Sequence, residues 1–362
     1  MRGSSTSDNR RASSVVASLT ALVQPAMVAA VQEPLPPPNA VLSETFTALT
    51  SVRELSDGRV ILTDPREGRI VVADFATGQV RQIGRRGQGP GEYSTAFPLH
   101  AIGGDSSVSV SLERRWLLFD GDSIVRTLTV SDAEVQALGR CFAYGFDDRG
   151  RMLTRPPCLA SDPPPDSNYL ALISRGAASS GVRAGHRVDT IGRIRSPPPR
   201  RPGSPPSNLR PYEHTLLTPD GWVAVARLDP YRVDWYSPEG QWVRGSPLPV
   251  RLDPLDRVQR RAYEDRLGAG QDPDAIDWPA SVPPFGVANP LTPTWDGRVL
   301  IRRLPTLRSP GVRYDVINRR GELEKHIVLA ENERILGFGQ SSVYVVVRDE
   351  FDLETVRRHP WR

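Results

Sequence analysis

The stretch Ser56-Asp-Gly-Arg-Val-Ile-Leu-Thr-Asp64 decides the fold, because its tight turn leads directly into an apolar strand and the pattern recurs along the chain. Asp-Gly supplies the positive φ that such a turn requires, and the apolar run has the length of a buried strand. Five further copies, three clear and two looser, are Asp147–Thr154, Thr218–Ala226, Trp295–Ile301, Gly104–Val110 and Gly339–Val346. The sequence therefore predicts six similar units.

Each unit is expected to hold about four strands, because a second hairpin follows most copies of the turn. These hairpins are Arg69–Val80, Arg115–Val125, Arg232–Val243 and Arg313–Leu323. The turn glycines Gly58 and Gly150 lie 92 residues apart, which is two units of 46. A four-stranded unit of this length is typical of a β-propeller blade. The predicted fold is all-β, a six-bladed propeller of four-stranded antiparallel blades; a seventh blade stays open if the long third or fifth unit holds another sheet.

The two chain ends suggest how the ring closes. The segment Val41–Thr47 precedes the first turn unit, and the last unit has only Leu353–Arg358 after its second strand. Pairing the N-terminal strand into the last blade would close the ring and remove both exposed edges. The propeller is accordingly assigned to residues 40–360, after a linker at 31–39.

Two insertions lengthen the later units. The Pro-rich stretch 196–211 predicts an extended surface loop, because proline lacks the donor that a strand ladder needs. The stretch 253–284 contains a charged amphipathic helix over Leu255–Leu267, with Asp253 and Pro254 as its cap and first turn. This helix either covers one face as a small lid or packs on the rim.

Residues 1–30 are predicted to be a secretion signal. Arg10 and Arg11 precede the mostly apolar stretch Ala12–Val23, and Val28-Ala29-Ala30 offers small residues for cleavage after Ala30. The alternative is a disordered cytosolic tail. No later stretch approaches the roughly 18 apolar residues of a membrane span. The sequence thus predicts an exported, periplasmic or extracellular protein without a membrane span.

Cys141 and Cys158 are the two cysteines of the chain. They are equally distant from the centre of a predicted turn at Arg149-Gly150, so they would face each other across that hairpin. An oxidising compartment would allow a disulfide, worth about 3 kcal/mol for a loop of this size. The alternative is two unrelated thiols.

The charge of the chain gives no indication of a nucleic-acid partner. The formal net charge is +4, of which the first 30 residues contribute three Arg and one Asp, leaving +2 for the rest. The basic residues are almost all arginine, with Lys325 the single lysine. A modest net charge without a basic stripe does not indicate phosphate-backbone binding.

The stretch Gly84-Arg-Arg-Gly-Gln-Gly-Pro-Gly-Glu-Tyr93 closely resembles the G-R-x-G-x-G-P-G-E-F/Y signature of bacterial exported six-bladed propellers. These proteins are related in shape to NHL-repeat and TolB-like propellers, and the ending Arg334–Val356 is similar to their closing blade. The resemblance covers roughly residues 40–360, and Ser111-Leu-Glu113 departs from it where an aspartate usually ends the strand. It implies a fold and a compartment, not a chemistry, since the family has no single assigned activity.

This signature loop is expected to be structural. It lacks the Gly-Lys-Ser/Thr ending of a P-loop, and no helix pattern follows whose N-terminus could meet a phosphate. Its glycines would permit a tight crossing between blades, with the Glu92 side chain accepting from backbone donors. The residues assigned to this role are Gly84, Gly87, Gly89, Pro90, Gly91 and Glu92.

The sequence contains no recognisable catalytic motif. It has no G-x-S-x-G elbow, and its five histidines are scattered without metal-ligand spacing. No catalytic residue, metal or cofactor is therefore assigned.

One arginine follows an inner strand in each unit, and together these arginines are predicted to line one mouth of the channel. They are Arg66, Arg114, Arg155, Arg227, Arg303 and Arg348, with Arg85 and Arg86 added by the signature loop. Convergent guanidinium groups favour an anionic ligand. The alternative is that nearby acids neutralise them; those acids are Asp64, Glu67, Glu113, Asp229 and Asp349.

Three functions remain open. The first is a non-enzymatic, monomeric scaffold that binds a protein or a small anionic ligand. The second is a metal-dependent, lactonase-like hydrolase or lyase with its site at the channel mouth. The third is a purely structural interaction module.

Overall fold

The computed structural model describes residues 31–89, 91–110, 115–129, 143–154, 167–175, 186–196, 209–210, 212–250, 252–265, 272–286 and 289–362. This part of the chain forms six four-stranded antiparallel sheets, one of which gains a fifth, parallel strand, and one short two-stranded parallel pair. The predicted six-bladed all-β fold is confirmed. None of the helices in these ranges is both long and apolar enough to cross a membrane.

The chain enters through two N-terminal strands and then builds three blades in sequence order. The entry strands are β1 (Val31–Glu33) and β2 (Ala40–Phe46). Blade 1 contains β3 (Ser51–Glu54), β4 (Val60–Asp64), β5 (Arg69–Ala73) and β6 (Val80–Gln82). A short pair, β7 (Arg85–Arg86) and β8 (Glu92–Tyr93), leads to blade 2. Blade 2 contains β9 (Leu99–Ala101), β10 (Ser106–Val110), β11 (Arg115–Asp120) and β12 (Ser123–Thr129). Blade 3 contains β13 (Gly145–Phe146), β14 (Met152–Thr154), β15 (Ser167–Arg175) and β16 (His186–Arg195).

The second half of the chain builds three more blades in the same way. Blade 4 contains β17 (His214–Leu217), β18 (Val223–Leu228), β19 (Tyr231–Tyr236) and β20 (Trp242–Val243). Blade 5 follows one helix, α1 (Arg257–Glu264), and a 3₁₀ turn (Pro273–Ala275). Its strands are β21 (Leu291–Pro293), β22 (Val299–Arg302), β23 (Val312–Ile317) and β24 (Leu323–Leu329). Blade 6 contains β25 (Glu333–Phe338), β26 (Ser342–Arg348) and β27 (Glu354–Pro360).

The first strand of every blade lies innermost and contacts the first strand of the next blade. The innermost strand of blade 6, β25, contacts β3 of blade 1, so the ring is continuous. The middle strands are buried on both faces; all five residues of β4 are buried, because each sheet packs between two neighbours. The end of the ring reached by the turns between second and third strands is called the mouth face below.

The N-terminal strand closes the ring, as the end pattern predicts. β2 pairs antiparallel with β27 and becomes the outermost strand of blade 6, with Leu42 opposite Val356. Leu42 and Phe46 point into the core between blades 6 and 1, whereas Val41 faces outward. The alternation of inward and outward side chains therefore sets the register of this strand.

A shorter strand lies in the segment 31–39 that the sequence assigns to the linker. β1 pairs in parallel with β24, the outer strand of blade 5, with Val31 opposite Lys325. The Lys325 Nζ atom lies 2.6 Å from a carboxylate oxygen of Glu33. Before it reaches blade 6, the N-terminal segment is therefore attached to blade 5.

The N-cap of helix α1 lies three residues later than the sequence predicts. The Asp256 side chain accepts a hydrogen bond of 2.8 Å from the Gln259 backbone N–H and is the N-cap. Asp253 is wrong as the cap, because its carbonyl oxygen accepts from the Val282 N–H and so joins the two ends of the insertion. The helix contacts the mouth face: the Tyr263 hydroxyl donates to the carbonyl oxygen of Pro305 in the loop between β22 and β23, at 2.7 Å. The lid and the rim position both stay predictions.

Leu42 and Val41 offer a matched test of ring closure. Leu42 is 0% exposed and Val41 is 55% exposed in the same strand. We expect Leu42→Ala to lower the free energy of unfolding by about 2–5 kcal/mol, because it leaves a cavity in the closing blade. Val41→Ala should change it by less than about 0.5 kcal/mol. Equal effects in urea unfolding would show that β2 does not pack into blade 6.

His100 packs against an aromatic side chain at the interface between blades 2 and 3. It lies on β9 with its ring centroid 5.6 Å from that of Phe146 in blade 3. Burial lowers the pKa of its imidazole from 6.5 to about 4. The folded chain therefore holds His100 neutral at pH values where the unfolded chain protonates it.

This shift predicts a pH dependence of stability. Between about pH 6.5 and 4 the unfolded state binds a proton that the folded state does not, so stability falls as the pH drops through this window. For a shift of this size the loss is up to about 3 kcal/mol. We expect His100→Leu to lose less stability than the unmodified chain between pH 7 and pH 4 in urea titrations. Parallel losses in the two proteins would contradict the burial of His100.

Candidate functional site

The signature loop is built from backbone contacts. β7 and β8 pair in parallel, and Glu92 Oε2 accepts a hydrogen bond of 2.7 Å from the Gly89 N–H. The Arg85 guanidinium lies 2.6 Å from the other oxygen of Glu92. These two contacts, the Gly89 bond first, lower the pKa of the Glu92 carboxyl. Glu92 thus organises the loop from within and does not offer its carboxylate to a ligand.

The glycines of this loop are required by close approaches. Gly84 has φ +62°, and a Cβ there would lie 2.5 Å from the Gly91 carbonyl oxygen. A Cβ at Gly87 would lie 2.1 Å from Glu92 Oε2. The loop is fixed to blade 1 by Tyr93, whose buried hydroxyl accepts from the Ile70 N–H at 3.0 Å. Pro90 lies outside the described residues.

The structure describes six of the eight predicted arginines, and four of these six pair with acids of the protein. Arg66 and Arg86 are exposed near blade 1, and their guanidinium groups make no hydrogen bond or ion pair with a described residue; the Arg66 backbone N–H donates to Asp64 at 3.0 Å. Arg85 pairs with Glu92, and Arg348 lies 3.2 Å from Glu354. Arg114 and Arg155 lie outside the described residues, as do Cys141 and Cys158.

Arg227 and Arg303 serve as counter-ions inside blades 4 and 5. The Arg227 guanidinium lies 2.9 Å from Glu213 and 3.0 Å from Asp234. The Arg303 guanidinium lies 2.9 Å from the fully buried Asp315. The partners of both are acids on adjoining strands or blades and not their neighbours in sequence, so the sequence did not indicate them.

Asp315 is the centre of a buried polar network between blades 4 and 5. It accepts from the Tyr231 hydroxyl at 2.9 Å and from Arg303, and the His326 Nδ1 atom lies 2.8 Å from its other oxygen. Burial alone would raise the pKa of Asp315, but the contacts with His326 and Arg303 hold it below its ordinary value. Asp315 is therefore a charged structural group, satisfied from three sides.

Two adjoining cavities open on the mouth face where blades 3 and 4 meet the insertion. Their volumes are about 280 and 420 Å³. The smaller is lined by Ser167, Arg193, Ile194, Arg195, Glu213, Arg227, Asp229 and Arg232. The larger is lined by Arg195, Ser196, Glu213, Leu228, Asp229, Leu252, Pro279, Ser281, Pro283 and Pro284. Because Arg195, Glu213 and Asp229 border both, we treat the two cavities as one site and call it the blade 3–4 cleft.

Glu213 ties the two sides of this cleft together. It immediately precedes β17, and its buried Oε2 atom accepts from the backbone N–H of Arg195 at 2.7 Å. The same oxygen accepts from Arg227 at 2.9 Å. Glu213 thereby holds the end of the outer strand of blade 3 against blade 4, which positions the Arg195 side chain.

Two charged side chains of the cleft are left without partners among the described residues. The exposed Arg195 guanidinium and the exposed Asp229 carboxylate make no hydrogen bond or ion pair, either with each other or with another described residue. The hydroxyl of Ser196 is buried in the larger cavity and also has no hydrogen-bond partner. Other arginines of the cleft are engaged; Arg193, for example, donates to the Tyr169 hydroxyl at 2.9 Å.

Half of the residues that line the larger cavity are apolar, and we call them its apolar wall. They are Leu228, Leu252, Pro279, Pro283 and Pro284, with Ser281 among them. The Pro284 carbonyl oxygen accepts from Arg303 at 2.7 Å, and Arg303 is itself held by Asp315. The buried network thus anchors this wall from beneath. A cavity with one apolar wall and a few unpaired polar groups has the character of a small-molecule site.

A metal site does not emerge from the described ranges, which hold no group of three His, Cys, Asp or Glu side chains placed to bind an ion. The cleft itself contributes only the carboxylates of Glu213 and Asp229.

Sequence reasoning named Asp229 only as a neutralising acid and did not find Arg195, Ser196 or Glu213. One signal was available: Arg195-Ser196 lies at the start of the Pro-rich stretch 196–211, and Glu213 follows its end. The hydrogen bond from Arg195 to Glu213 brings the two flanks of that insertion together.

No protein-family model matches this chain, and no curated protein matches its sequence. Several solved structures are similar in shape. The calcium-binding protein regucalcin from Agrobacterium tumefaciens is 11% identical, with 92% of this chain and 98% of that chain covered and a TM-score of 0.43. A streptogramin B lyase is 10% identical, with coverage of 89% and 86% and a TM-score of 0.41. A provisionally assigned gluconolactonase is 13% identical, with coverage of 91% and 97% and a TM-score of 0.43.

Proposed function

We propose that this chain is a ligand-binding propeller whose site is the blade 3–4 cleft. Its ligand is a small molecule with an anionic group and an apolar body. The observation that carries the proposal is the Arg195 guanidinium, which opens on the cleft without a protein counter-ion while Arg227 and Arg232 are neutralised within blade 4. An anion bound there would complete the charge pairing of the site.

The apolar wall supports the second half of this proposal. Leu228, Leu252 and three prolines present hydrocarbon surface beside Arg195 in a cavity of about 420 Å³. Low-dielectric walls strengthen the attraction between a guanidinium and a bound anion, because less water screens the pair. An organic anion would gain from both contacts, whereas an inorganic anion would use only one.

The binding proposal is tested with 4-phenylbutanoate and its uncharged amide. We expect isothermal titration calorimetry to show that the chain binds the carboxylate more tightly, and that Arg195→Gln weakens carboxylate binding about tenfold, as loss of a charge-assisted hydrogen bond requires. Binding of the amide should not change. Arg187→Gln is the matched control, since Arg187 lies on the same strand, is exposed and is outside the cleft.

Two results would contradict the proposal. In the first, Arg195→Gln and Arg187→Gln bind 4-phenylbutanoate equally well. In the second, neither compound binds to the unmodified chain at millimolar concentration.

We further propose that the chain acts outside the cytoplasm. The support is the basic and apolar pattern of residues 1–30, with small residues at the predicted cleavage position after Ala30.

This proposal predicts a defined mature N-terminus. Expressed with its full sequence in a bacterium, the chain should appear in the periplasm or medium with Val31 as its first residue, by intact mass and N-terminal sequencing. Recovery of only the full-length chain from the cytoplasm would contradict it.

A further inference from the structure

We infer that the ligand of the blade 3–4 cleft is an amphipathic zwitterion, such as a short peptide of apolar residues with free termini. Its carboxylate pairs with Arg195 and its ammonium group pairs with Asp229. The inference rests on the proposed function and adds a second charged group to the ligand. What assigns that group is the juxtaposition of two unpaired charges of opposite sign in one cavity.

Asp229 supplies the negative charge of the cleft that no described residue neutralises. It lies in the turn between β18 and β19 and borders both halves of the cleft. The other carboxylate of the cleft, Glu213, is buried and accepts from Arg195 N–H and Arg227. Asp229 is exposed and has no partner among the described residues. A purely anionic ligand would bind through Arg195 alone and lose some affinity to repulsion by Asp229, whereas an ammonium group on the ligand would add an attraction.

Arg195 and Asp229 lie on different blades and do not pair with each other. Arg195 ends the outer strand of blade 3, and Asp229 belongs to blade 4. Both side chains border the same two cavities, yet no ion pair joins them. Glu213 holds the Arg195 backbone in place, so the gap between the charges is set by the packing of two blades. A ligand that carries a charge at each end would meet both side chains across this gap.

The larger cavity is also lined by prolines and by Ser196. The prolines at 279, 283 and 284 have no backbone N–H and cannot bind an anion, so that wall contacts apolar groups. Ser196 lines the same cavity, and its hydroxyl is buried without a partner; a rotation of this side chain toward the cavity would let it hydrogen-bond an amide group of the ligand. Hydrocarbon, one hydrogen-bonding group and two terminal charges are together the features of a short apolar peptide.

The test uses leucine, Leu-Leu and Leu-Leu-Leu as probes, so that the length series determines which span fits the two charges. The probe that binds most tightly in calorimetry is then compared with its N-acetyl derivative, which lacks the ammonium group, and with its C-terminal amide, which lacks the carboxylate. We expect each blocked form to bind the unmodified chain about tenfold more weakly.

Variants assign each charge to its residue. Asp229→Asn should bind the free and N-acetylated probes equally, and Arg195→Gln should bind the free and amidated probes equally. The matched controls are Asp189→Asn and Arg187→Gln, an exposed pair on β16 outside the cleft, which should keep both preferences. All four variants replace exposed side chains, and equal melting temperatures will establish that each is folded.

The outcomes separate this inference from the proposed function. If acetylation leaves the affinity unchanged, or if Asp229→Asn keeps the preference for the free amine, the zwitterion is overturned. If no leucine probe binds but 4-phenylbutanoate binds through Arg195, the zwitterion is again overturned and the proposed function stands. If neither kind of probe binds, both the zwitterion inference and the proposed function are overturned.

Discussion

The structure depends on the joint where the N-terminal strand closes the ring. β2 supplies the outermost strand of blade 6, and the chain then passes directly into β3, the innermost strand of blade 1. Two buried carboxylates hold this passage: Asp64 of blade 1 accepts from the Thr47 and Ala48 N–H groups, and Glu354 of blade 6 accepts from the Leu49 N–H at 2.7 Å. Neither end of the sheet series is left with an exposed edge, so the blades pack as one continuous ring.

Buried carboxylates also accept hydrogen bonds from neighbouring strands and blades at the mouth face, and several of the arginines there are their partners. Glu213, Asp234, Asp315 and Glu354 are buried acids that receive backbone N–H groups or guanidinium groups from adjoining strands and blades. A carboxylate in the interior is tolerated only with such partners, because desolvation of an unpaired charge is costly. Much of the arginine content at this face therefore serves to balance the buried acids, and little of it is available to a ligand.

The blade 3–4 cleft combines a cavity with an arginine, Arg195, whose guanidinium has no acidic partner among the described residues. There the chain leaves the regular blade pattern twice, through the Pro-rich stretch after β16 and through the insertion before β21. The flank of the first provides Arg195 and Ser196, and the second provides the proline wall. In this cleft the unpaired charges border a cavity, whereas Arg66 and Arg86 of blade 1, which also lack a counter-ion among the described residues, line neither of the two cavities.

The sequence by itself determined the architecture of this protein. Asp-Gly turns followed by apolar runs are local signals, and their repetition predicted six blades, the four strands of each and the closing N-terminal strand. The interior role of Glu92 also followed from its own loop, because that loop is short and its contacts are local in the chain.

Only the tertiary structure decided the site. Arg227 and Arg303 carry the same sequence signal as Arg66, but their partners Glu213, Asp234 and Asp315 come from other strands, at positions that only strand register and blade packing bring near. The pairing of Arg195 N–H with Glu213 across 18 residues likewise exists only after two blades have packed. Local patterns fix which strands form, whereas charge compensation depends on distances between chain segments that are remote in sequence.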